Sequence, residues 1–178
     1  PGYFWLAFNW KNYRLSCHHA NRLRKSVHGG AAGGKGTKFP LLDESKRAFD
    51  EDDDLTTEAP LFLDPCDPED PPILTFWPNG ESALSPLYVD DPVARRRWET
   101  SRVGLHIDWP DFIDARMELY NKVERLVDRG SREAPAPGGT NSLAFKDVIR
   151  DLLGLMKTSE EFSMAARAYI ESFRHVWW

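Results

Sequence analysis

The 178 residues contain only two cysteines, Cys17 and Cys66. At most one disulfide is allowed, nothing forces it, and a reduced cytoplasmic protein is the simplest expectation. No apolar run reaches the roughly 18 residues a membrane crossing needs. No basic stretch leads into an apolar one in the manner of a secretion signal. Residues 1–42 contain no Asp or Glu at all, against seven Lys or Arg. The chain opens on Pro1 rather than Met, so a further segment is expected ahead of it.

What is present is otherwise ordinary for a globular protein: 41% hydrophobic and 29% charged residues, which argue against wholesale disorder. The net charge of −5 would by itself count against a nucleic-acid binder. Its distribution points the other way. After the acid-free start, residues 43–81 carry thirteen acids against Lys46 and Arg47. Phosphate contacts need local positive charge rather than a positive average. The simpler alternative is that the acidic stretch solvates a loop and pairs with the basic one.

Along the chain, Tyr3–Trp10 is aromatic and reads as a strand or a buried helical turn. Residues 12–17 alternate, and His18–Lys25 is helix material with a basic face. Residues 28–38 are a glycine-rich loop, ending on a Phe39–Leu42 apolar anchor. The loop is not a phosphate-binding P-loop, because Thr37 does not directly follow Lys35. Leu61–Leu63 suits one short strand and Ile73–Trp77 another, followed by a turn at Asn79-Gly80. Helices are expected over 90–102, with Arg95, Arg96 and Arg97 outside, and over 108–129. Residues 131–140 have linker composition. A helix over 143–156 follows, and Thr158-x-x-Glu161 has the form of a capping box opening a last one. Cys17 and Cys66 are expected to pack as small hydrophobes. His106 and His175 stand alone and read as ordinary helix-region residues.

The string Asn12-Tyr-Arg-Leu-Ser-Cys17-His-His-Ala-Asn21-Arg-Leu-Arg-Lys25 resembles the pattern N-x4-C-x2-C-[H/N]-x2–3-K of HNH (ββα-metal) endonucleases. The phrases YFWLAFNWKN, LSCHHANR, GGKGTKFPL and EAPLFLDPCDPEDP, in that order over residues 3–80, resemble HNH proteins of retron-associated and Septu-type antiphage systems. The resemblance implies hydrolysis of DNA phosphodiesters with a divalent metal, Mg²⁺ or Mn²⁺, and an ATPase partner protein. It gives Asn12 an orienting role and Asn21 a metal-binding one; an amide oxygen is a hard neutral ligand suited to those ions. Arg22, Arg24, Lys25, Lys35 and Lys38 are the matching candidates for phosphate contacts.

Two departures matter. The family's general-base His has no counterpart after Pro1, so the chain alone is expected to be nearly inactive, with His18 or His19 as substitutes. Ala20 stands where zinc-binding relatives have a second cysteine, so no structural zinc is expected. The implied fold is α+β: a ββα-metal finger with a proline-rich extension over 1–82, a helical region over 83–130, a linker over 131–142 and a helical hairpin over 143–178. The alternative function is a catalytically inactive module that binds nucleic acid or a partner on a degenerate finger. Glu58 and Asp64, bracketing an apolar run, are expected to serve structurally.

Overall fold

The computed structural model describes residues 2–23, 33–136 and 139–177, with His19 and Trp177 described by backbone alone. Two compact units emerge: Pro1–Leu74 with Leu84–Trp109, and Thr75–Ala83 with Pro110–Trp178. The breaks fall at Leu74/Thr75, Ala83/Leu84 and Trp109/Pro110, the second of them one residue from the expected 82/83 boundary, and none within 131–142.

The first unit begins with turns. Phe4–Leu6 and Trp10–Asn12 form single 3-10 turns. The Asn9 carboxamide oxygen accepts from Lys11 N and caps the second turn, and the Tyr13 hydroxyl donates to Ala7 O. These local bonds satisfy the backbone where a strand would need a neighbour. The aromatic run is therefore neither strand nor buried: Phe4, Trp10 and Tyr13 are exposed, and Phe8 is 98% accessible. Helix α1 (His18–Asn21) is capped by Cys17, whose Sγ accepts from Ala20 N at 3.4 Å. Among the described residues 2–23 no strand forms, so the paired strands of a ββα finger are not among the elements here.

The Phe39–Leu42 anchor does bury Leu41, and an isolated antiparallel bridge joins Leu41 to Pro60. Leu61–Leu63 is buried but forms no strand. Its polar backbone is instead satisfied by α2 (Pro92–Gly104), which starts at an N-cap where Asp91 accepts from Val93 N and Ala94 N. Ser101 Oγ accepts from Leu63 N at 2.8 Å. Arg97 points inward rather than to solvent. Its Nη2 donates to Asp70 Oδ2 at 2.6 Å and its Nε donates to Pro60 O at 3.0 Å. Asp70 Oδ2 also accepts from Asp64 N at 2.7 Å. The side chains of Arg97 and Asp70 are largely buried. Glu58 and Asp64 are structural as expected. Glu58 accepts from Tyr3 Oη and Ala48 N, while Asp64 pairs with Arg14, whose guanidinium holds that carboxyl below the usual carboxylate range. Leu63, Ile73 and Ala94 make the core of this unit, flanked by Tyr88 and Trp98.

Strands β1 (Leu74–Phe76) and β2 (Ser82–Leu84) form a two-stranded hairpin. Its turn requires Gly80: φ is +83°, and a Cβ there would lie 2.2 Å from Ile113 O. In the second unit α3 (Pro110–Glu133) extends past the expected end through three residues of the anticipated linker. Val123 and Val127 on its inner face pack with Val148 and Leu152 of α4 (Leu143–Leu155) and with Ala165 and Tyr169 of α5 (Ser163–Ser172). Each of the valines and Leu152 contributes about 1.5–3 kcal/mol by leaving water. Buried Arg116 donates from Nε to Gly80 O at 2.6 Å, and its guanidinium lies 4.9 Å from the Phe76 ring centre. Helix α5 opens two residues after Glu161, at a left-handed Phe162 without a side-chain cap, so the expected capping box does not form. Phe162 packs edge-on to Phe112 at this start. A last short helix, α6 (Arg174–Trp177), follows.

Arg97→Ala leaves a buried carboxylate without its cation and should destabilise the chain by about 3–5 kcal/mol in urea unfolding. In the bundle the hydroxyl of Tyr169 is buried without a hydrogen-bond partner among the described residues; Tyr169→Phe should leave stability at neutral pH unchanged or raise it. Burial, the larger cause for both phenols, pushes Tyr3 and Tyr169 up to about 12, Tyr3 also through its bond to Glu58. Both are raised above the free phenol value of about 10, so their contribution is full below that pH and is lost as pH climbs toward 12. Chemical unfolding across that range should show stability falling, with a shallower fall in either Tyr→Phe variant.

Candidate functional site

The candidate residues lie in the first unit, on α1 and the chain segments flanking it. Helix α1 presents His18 and, one turn on, Arg22 just past its end; His18 Nε2 lies 3.0 Å from Arg22 Nη1. Asn21 is the last residue of α1, and its side chain is exposed. The glycine-rich segment then returns to this helix. Lys35 N donates to Ala20 O at 2.7 Å, and Gly36 N donates to Asn21 O at 2.9 Å. Helix ends leave such carbonyls without intrahelical partners, so the return satisfies what the short helix cannot.

Glycine is needed for this approach at Gly34. Its φ is +94°, and a Cβ would lie 2.0 Å from Arg22 O. The backbone thus brings His18, Asn21, Arg22 and Lys35 to one small region, with Lys38 following in a turn where its N–H donates to Lys35 O. Arg24 and Lys25 lie outside the described residues, as does the side chain of His19.

Asn12 is not drawn into this group. Its Nδ2 donates to Leu6 O at 3.4 Å in the preceding turn, and among the described residues no hydrogen bond links it to α1. The packing expected of the cysteines is not seen: Cys17 and Cys66 are both exposed free thiols, and Cys17 acts as the α1 cap. The basic stretch is only partly neutralised. Arg14 is engaged by Asp64, whereas among the described residues the Arg22 side chain meets only His18. Among the described residues no group of three or more His, Cys, Asp or Glu converges as a metal site would require. Asn21 offers one hard oxygen. That is too few donors for Mg²⁺ or Mn²⁺, so the described residues alone do not complete such a site.

His106, read from sequence as an ordinary helix-region residue, lies in the turn between α2 and α3 with φ +52°. It stacks on Trp109 with ring centres 5.5 Å apart. A Cβ at Gly33 would lie 1.6 Å from its Nε2, so the imidazole supports the base of the glycine return. A lone His outside any periodic pattern carries no sequence signal for such a place; the pairing is across 73 positions of chain.

Over 80 residues the chain is 34% identical to the Septu protein PtuB of Bacillus mycoides (strain KBAB4). The matched region is 45% of this chain and 23% of that protein, so the chain spans less than a quarter of its relative's length. No family model and no solved structure matches. The Septu-type resemblance read from the ordered phrases over residues 3–80 is supported by this similarity. Among the described residues no helix is long and apolar enough to cross a membrane.

Gly34→Ala should lower stability by at least about 1 kcal/mol through the left-handed φ alone. It should also release the return, read as faster hydrogen exchange at the Lys35 and Gly36 amides with α2 protection unchanged.

Proposed function

We propose that this chain belongs to a bacterial antiphage defence system and serves there as a DNA-cutting subunit of HNH type, hydrolysing phosphodiesters in the cytoplasm alongside an ATPase partner. The observation that carries the reading is the return of Lys35 and Gly36 onto the end of α1. It brings Lys35 beside the family-pattern residue Asn21, with His18 and Arg22 of the same short segment, although the expected strands are not formed there. The similarity to a Septu protein supports the defence setting.

The chemistry is consistent with those residue types. A phosphodiester brings negative charge, and Arg22, Lys35 and Lys38 stand in a stretch without acids. The exposed Asn21 amide offers an oxygen to a divalent cation; the other ligands belong, on this reading, to groups outside the described residues. A divalent metal, when bound, would supply charge stabilisation at the phosphate. His18 presents an imidazole on the same helix as Asn21 and, with His19, remains a candidate to accept a proton.

A second reading, a module that binds nucleic acid or protein without cutting, is favoured by two contacts. His18 Nε2 faces the Arg22 guanidinium, and the Asn12 amide is turned back on Leu6 O.

Plasmid nicking with Mg²⁺ or Mn²⁺ separates the two. Cutting that requires the metal and falls at least about tenfold in Asn21→Ala supports the nuclease. Cutting that is indifferent to chelation or to Asn21→Ala excludes this site. Salt-sensitive DNA binding without any cutting selects the second reading.

A further inference from the structure

Helix α3 carries Lys122, Arg125 and Arg129 at i, i+3 and i+7. That spacing lines them along one side of the helix over about 10 Å of its length. Arg150 on α4 and Lys157, two residues past its end, are again seven positions apart. All five line one open groove of about 660 Å³ in the helical unit. Half-buried Leu126, Gly154 and Leu155 lie lower in the groove, and at Gly154 an added Cβ would meet nothing within 4 Å.

Two acids, Asp151 and Glu160, also line the groove and do not balance five cations. Arg150 is paired with Asp147. The side chains of Lys122, Arg125, Arg129 and Lys157 have no ion pair or hydrogen bond among the described residues. Like charges gathered in a concave surface focus positive potential there, and a polyanion relieves their mutual repulsion.

Charge density decides which polyanion. Each strand of duplex DNA carries one negative charge per about 3.4 Å of axis, so about three phosphates of one backbone fall within the length of the α3 row. An extended acidic peptide offers at most one carboxylate per roughly 3.3 Å, half of them pointing away. An open groove without a deep apolar pocket also suits a backbone better than a peptide needing side-chain anchors.

We infer that the α3–α4 groove is a docking site for the sugar-phosphate backbone of nucleic acid, carried by the helical unit independently of α1. The inference rests on the nucleic-acid half of the function proposed above and does not need cleavage. The test is fluorescence anisotropy of the full chain with a labelled DNA duplex over a salt series, in EDTA so that no cutting intervenes. The variant is the triple R125Q/R129Q/K157Q, with a labelled RNA duplex and labelled poly-glutamate as further probes.

The expected result is at least about a tenfold loss of affinity, with the log–log salt slope reduced by about three, one per cation removed. The melting temperature should be unchanged, since all three side chains are exposed. A parallel loss with the RNA duplex assigns the groove to phosphates of either nucleic acid. An unchanged slope and affinity in the triple variant overturns the inference, as does poly-glutamate binding as tight as that of DNA, which would assign the groove to an acidic protein. Metal-dependent nicking together with groove-independent binding defeats this inference alone. Groove-dependent binding without nicking defeats the nuclease reading alone.

Discussion

The buried pair between Arg97 and Asp70 is the constraint on which the first unit depends. A carboxylate taken out of water is tolerated only when its lone pairs are used. Here a guanidinium fork and the Asp64 amide use them. Arg97 then reaches Pro60 O as well, and Ser101, one turn further along α2, takes the Leu63 amide. One helix face thus takes the place of a partner strand for the Pro60 and Leu61 carbonyls and the Leu63 amide, in a segment where no strand forms. With that segment held, Glu58 meets Tyr3 and Ala48, and Asp64 meets Arg14.

The consequence for charge is specific. Acids of the 43–81 stretch are used in structure: Glu44 and Glu58 surround Arg47 and Tyr3, and Asp64 engages Arg14. Among the described residues, the part of the basic stretch around α1 is left comparatively free of carboxylates. The simple alternative, that acidic and basic stretches merely neutralise one another, therefore holds for Arg14 and fails for Arg22. A phosphate-facing surface needs that asymmetry more than it needs a basic protein overall.

In the helical unit the logic is apolar. Helix α3 buries Val123 and Val127 against α4 and α5, and Arg116 is carried into the interior because Gly80 O and the Phe76 ring accept it. The outer side of the same helix holds cations at the same spacing that the inner side uses for valines. A single 3.6-residue period thus supplies both a core and a charged groove.

Much of this was legible in the residues. Periodicity in 90–129 and 143–156 located three helices to within a few positions, and the Asn79-Gly80 pair marked a turn whose φ only glycine takes comfortably. His18–Lys25 read as helix material, and α1 forms over its first four residues. What local pattern could not reach was pairing at long separation. Arg97 inside rather than outside, Leu61–Leu63 satisfied by a helix rather than a strand, and His106 seated on Gly33 each depend on a partner dozens of positions away. Hydrophobic period and turn chemistry are properties of neighbours in sequence, so the chain itself determined where it coils and turns. Which buried polar group finds which partner is settled only when distant segments are packed together, and that the tertiary structure decided.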